Sequence, residues 1–103
     1  MGTKCFDITL KAPIGDRKGK MEWREQGGSL DGILEIMGHR NPFSGHISPD
    51  RLVEIEGSMV TEMRDISYTA RGTLQSGLLS LVLQEPRNRY RIEGEEVEDE
   101  KVL

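Results

Sequence analysis

One cysteine, five aromatic residues and no long apolar run mark this 103-residue chain, and each scarcity excludes something. With Cys5 alone there is no internal disulfide, so the fold is no stapled scaffold, and a reducing, cytoplasmic home is the expectation. No stretch approaches the roughly 18 apolar residues of a membrane helix. The opening MGTKCFDITLK lacks the apolar core of a secretory leader, and Phe6 stands where a myristoylation signal wants Ser or Thr. No membrane contact is therefore expected. Lys and Arg form no stripe interleaved with aromatics, so no nucleic-acid partner is expected. Ser29, Ser44, Ser58 and Ser80 lie in no G-x-S-x-G context, and twelve glycines build neither a Walker loop nor a dinucleotide fingerprint. The expectation is a protein without a cofactor and without enzymatic activity.

Helical periodicity is missing too, and alternation with period two takes its place. Phe6, Ile8 and Leu10 alternate with Asp7 and Thr9, and Met21 and Trp23 with Lys20, Glu22 and Arg24. The pattern recurs through Leu34–Ile36, Phe43–Ile47, Val53–Met63, Ile66–Ala70, Leu79–Leu83 and Tyr90–Ile92. Each run has one polar face, as a half-buried strand requires. Turn residues separate the runs at 13–16, 27–28, 39–42, 49–50, 64–65, 76–77 and 85–88. The connections are short, so sequential strands should pair antiparallel. The fold class expected is all-β, an eight-stranded antiparallel up-and-down meander closed or nearly closed into a barrel. At 64–65 the parity flips, which fits a tight turn or a bulge in one long strand.

Inward residues must face inward residues, and this sets a register on paper. It places Trp23 opposite Gly32, Gly38 opposite Phe43, Ile47 opposite Val53, Thr61 opposite Tyr68, Leu74 opposite Leu79 and Leu83 opposite Tyr90. Glycines recur on the inward parity at 19, 32, 38, 45, 57, 72 and 94, where a closing sheet has to bend. Six of the eighteen acids fall in residues 93–101 beside a single Lys, leaving twelve acids and thirteen bases elsewhere. Residues 1–95 are read as the barrel domain and 96–103 as a disordered, dispensable acidic tail, with a docking arm as the alternative.

The meander, the glycine-kinked strands and a Trp near the start resemble the calycin group of small barrels, the lipocalins, avidins and relatives. The likeness covers about residues 3–95 and concerns architecture. Met21 stands where that group has a glycine two residues before the Trp, and no binding residue is carried over from it.

Candidate sites follow from parity. The inward face suits a small apolar ligand in a lumen lined by Trp23, Phe43, Met59, Met63, Tyr68 and Thr61, the last two pairing their hydroxyls. A dry, solid core is the alternative. Glu25 is an inward-parity acid that could greet a polar head. Outside, Glu35, His46 and Glu54 form a row that could hold a divalent metal, against the plainer reading of a surface charge pairing. Cys5 lies near neither histidine in sequence, so a plain small side chain is expected rather than a nucleophile. Ile33, Met37, Leu52 and Val60 fall on the outer parity, and a homodimer through those strands would account for them. The expected function is a non-enzymatic barrel that binds a small apolar molecule, with an interaction module as the alternative.

Overall fold

The structure is a computed structural model, and residues 2–13, 15–61 and 64–98 are described. Eight strands follow one another: β1 (Gly2–Lys11), β2 (Arg17–Gln26), β3 (Ser29–Ile36), β4 (His39–Ile47), β5 (Leu52–Val60), β6 (Asp65–Gln75), β7 (Leu78–Gln84) and β8 (Arg89–Val97). Each pairs antiparallel with the next, and β1 pairs with β8 to close the barrel. Burial alternates as the sequence does, most regularly along β7. Among the described residues no helix is long and apolar enough to cross a membrane. Strand β8 continues through Val97, opposite Cys5, two residues into the segment read as a tail. Residues 99–103 lie outside the described ones.

Most of the paper register holds. Trp23 faces Gly32, Phe43 faces Gly57, Ile47 faces Val53, Leu74 faces Leu79 and Leu83 faces Tyr90. Two hairpins differ. The β3–β4 turn is Met37–Gly38 rather than 39–42, so Phe43 lies opposite Gly32 and not Gly38. Both turn residues take positive φ, 52° and 77°, as a two-residue type I′ turn needs. Pro42 belongs to β4 after all. It is tolerated because the β4–β5 ladder begins only at Phe43, leaving Pro42 no donor to supply on that side. In the β5–β6 hairpin Tyr68 faces Gly57 rather than Thr61, and Thr61 lies in the connection. Both slips span an even number of residues, so the side chains that stay in the strands kept their faces.

The two ends of the barrel differ. At one end the turns extend the pairing: Ile47 N–H donates to Gly28 O, Leu74 N–H to Arg51 O and Glu96 N–H to Gly77 O, at 2.8–3.1 Å. The opposite end carries the connections after β1, β3, β5 and β7, three of them longer. There β4 and β5 part beyond Phe43, and Asn41 bridges the gap. Its carboxamide donates to Leu34 O and accepts from Val60 N–H, both at 3.0 Å.

The core is one cluster of apolar side chains from all eight strands. Phe6, Trp23 and Phe43 run across it, with ring centroids 4.7 Å and then 6.5 Å apart. Gly32 makes the arrangement possible, because a Cβ there would strike the Phe43 ring, Trp23 Cβ and the Glu22 carbonyl. Replacing Phe43 by Ala is expected to cost about 3–5 kcal/mol, the usual range for a buried Phe. An unchanged urea midpoint would place Phe43 outside the core.

Candidate functional site

The expected lumen residues Trp23, Phe43, Met59 and Tyr68 sit inside the barrel, each at most 5% exposed, packed within the core. Met63 lies outside the described residues. A ligand among these side chains would have to displace tightly packed atoms. Glu25 is no lone acid at an open mouth: it accepts the Trp23 indole N–H at 3.1 Å, beside the turn at 27–28.

Thr61 and Tyr68 are not side by side. Thr61 Oγ1 donates to Arg64 O at 2.6 Å and accepts from Arg64 N–H, which closes the β5–β6 connection. The Tyr68 hydroxyl is buried without a hydrogen-bond partner among the described residues, facing the Gly57 backbone. Burial pushes its pKa up to about 12. The even slip in register separated the two residues: Gly57 took the place opposite Tyr68 and Thr61 moved into the loop.

What the sequence reading missed lies at the open end. A hollow of about 360 Å³ is floored by Leu10, Met59, Ile66 and Tyr90 and rimmed by Arg17, Met37, Arg64 and Glu85. Its size falls at the small end of ligand pockets, about 300–1,000 Å³. Met37 reaches over it from a left-handed backbone, a conformation that costs a non-glycine residue about 1–2 kcal/mol. Glu85 follows β7 on the inward parity and is buried, its side chain only 1% exposed. Burial alone would raise its carboxyl. Hydrogen bonds from Arg64 and Asn88, the Arg64 charge and the Arg87 backbone N–H instead hold it below its ordinary value. Arg64 Nη2 approaches it to 2.9 Å, tying the β5–β6 connection to the β7–β8 connection. Glu85 stands among the turn residues 85–88 of the sequence, yet it shares the inward parity of Leu79, Leu81 and Leu83. Three larger depressions, of about 910, 1,160 and 400 Å³, lie on the outer surface, the last beside Cys5, Glu22, Ile33 and Val97.

The outer row is broken up. His46 Nε2 does lie 3.6 Å from Glu54, but its neighbour on β3 is Ser29, and Glu35 faces Arg40 at 2.7 Å. Glu54 also meets Arg71 at 2.7 Å. Among the described residues no group of three or more His, Cys, Asp or Glu is placed to hold a metal. Of the outward apolar residues, Ile33, Met37 and Val60 are half-buried and Leu52 is exposed, while Leu78, Val82 and Val97 join it at the surface. Cys5 is half-buried, with Glu22 and Val97 as its cross-strand neighbours.

No family model, no curated protein and no solved structure matches the chain. The calycin-like expectation thus stands at the level of architecture, an eight-stranded closed antiparallel barrel.

Two outcomes follow. Tyr68→Phe removes a buried hydroxyl that has no partner, so stability should be unchanged or raised by about 1 kcal/mol, and a clear loss in thermal unfolding would mean the hydroxyl is bonded. Glu85→Gln should lower the urea midpoint at neutral pH. Because the folded-state pKa is depressed, the carboxylate's contribution is complete above its ordinary 4.5 and is lost as pH falls through the lower folded value. The gap between wild type and Glu85→Gln should therefore narrow on acidification, and a pH-independent gap would detach the effect from the Arg64–Glu85 pair.

Proposed function

We propose that this protein is a non-enzymatic binding barrel that takes a small, mainly apolar molecule in the hollow at its open end. One observation carries the reading: a concave, largely apolar space of about 360 Å³ with a few convergent polar groups, at the end where β4 and β5 part. Binding sites usually combine these features. A deep site among Trp23 and Phe43 would have to open a filled interior, whereas the hollow is already formed.

A binding role also suits the chemistry of the lining. Among the described residues its titratable side chains are Arg17, the Arg64–Glu85 pair and Tyr90. Acid–base or nucleophilic catalysis needs a positioned acceptor within hydrogen-bond reach of the group it activates. Glu85 is already committed to Arg64, Asn88 and the Arg87 backbone. The half-buried Met37 and the buried Met59 give the walls adaptable, polarizable side chains that fit apolar bodies of varied shape.

Methionine-methyl resonances test the proposal. Saturable binding of 1-octanol should shift the methyl signals of Met37 and Met59, which line the hollow, and leave Met21 and the Trp23 indole signal unmoved. Shifts centred on Trp23 would move the site into the barrel interior, and the absence of any saturable shift would remove the small-molecule reading.

A further inference from the structure

Arg17 is the first inward-parity residue of β2, opposite Leu10, and it is half-buried at the rim of the hollow. Two neighbouring basic side chains are matched. Arg64 meets Glu85 at 2.9 Å, and Lys11 meets Asp16 at 3.2 Å. Among the described residues no ion pair or hydrogen bond engages the Arg17 side chain. Its Nη1 lies 3.6 Å from where a Cβ on Gly15 would stand, which puts the guanidinium beside the β1–β2 connection. An inward guanidinium beside apolar walls is an incomplete arrangement. The residue is partly withdrawn from water, and no side chain among the described residues answers its charge.

We propose that the hollow takes an amphiphile with a carboxylate head and that Arg17 receives the head while Leu10, Met59, Ile66 and Tyr90 hold the apolar body. The inference rests on the hollow being the binding site. A planar carboxylate matches the guanidinium fork with two parallel, charge-assisted hydrogen bonds. Glu85 does not compete for Arg17, because Arg64 holds it. A cationic head would meet Arg17 and Arg64 as like charges, and a neutral head would leave the Arg17 charge unanswered.

The experiment compares octanoate with 1-octanol, which share an apolar chain, by calorimetric titration and by the Met37 and Met59 methyl signals. Octanoate should bind wild type about tenfold or more tightly than 1-octanol, as expected for a hydrogen bond to a charged group. Added salt should weaken octanoate and leave 1-octanol unaffected. Arg17→Gln should erase the preference by weakening octanoate alone, and Arg17→Lys, which keeps the charge without the fork, should restore part of it. Circular dichroism of both variants checks the fold. If both probes shift the methionine methyls with equal affinity, the hollow remains a binding site and the carboxylate assignment falls. If neither probe binds, both readings fall. If octanoate is preferred but Arg17→Gln leaves the preference intact, the head is received elsewhere and the role of Arg17 is overturned.

Discussion

At Gly32 and Gly72 the carbonyl oxygens of neighbouring strands, those of Glu22 and Ser80, occupy the place where a side chain would begin. Backbone can approach backbone this closely only where Cβ is missing, and a sheet of eight strands needs such places to coil into a closed cylinder. The consequence reaches the interior. With the wall drawn in at Gly32, Phe43 and Trp23 meet across it, Phe6 packs tilted against Trp23, and the barrel centre fills with aromatic and branched side chains. An eight-stranded barrel leaves room for little else once its inward residues are large. Closure of the wall and the filling of the core are one constraint, and together they push any site to an end or to the outer surface.

Which end is decided by backbone hydrogen bonds. At one end the connections at Gly28, Arg51 and Gly77 carry the pairing into the next strand. At the opposite end β4 and β5 diverge, and side chains take over from the ladder: Asn41 bridges the parted strands and Arg64–Glu85 ties two connections together. Side-chain ties leave gaps that a backbone ladder does not, and the hollow over Met59 and Ile66 is such a gap. The polar residues that look anomalous in an apolar interior, Asn41 and Glu85, are therefore the devices that hold the mouth in shape. Arg17 shares their parity and their end of the barrel but has no such duty, and this sets it apart.

The outer surface shows how little a row of charges implies alone. Glu35, His46 and Glu54 share a face, yet the register gives Glu35 to Arg40 and Glu54 to Arg71, leaving ordinary exposed ion pairs. Such pairs contribute about 0–1 kcal/mol each. The chemically suggestive row came apart because the β3–β4 hairpin turns at Met37–Gly38, which sets Ser29 rather than Glu35 beside His46 and leaves the His46–Glu54 contact on its own.

Alternation of apolar and polar residues, with turn residues between the runs, determined the strand count, the antiparallel meander and the face of nearly every side chain, since side-chain direction has period two and depends on local order alone. Phe43, Trp23, Ile55 and Tyr68 were placed inward on that basis and are buried. Pairing partners were a different matter. Sliding a hairpin by an even number of residues keeps all faces intact, so the pattern did not separate Gly32 from Gly38 opposite Phe43, or Gly57 from Thr61 opposite Tyr68. Pro42 and Asn41 looked like turn residues, while Met37 in a left-handed turn did not. The partings of β4 from β5, the meeting of Arg64 with Glu85 and the hollow between them depend on contacts among four connections far apart in the chain. Only closure of the barrel brings those connections to one end, and so only the tertiary structure revealed the hollow.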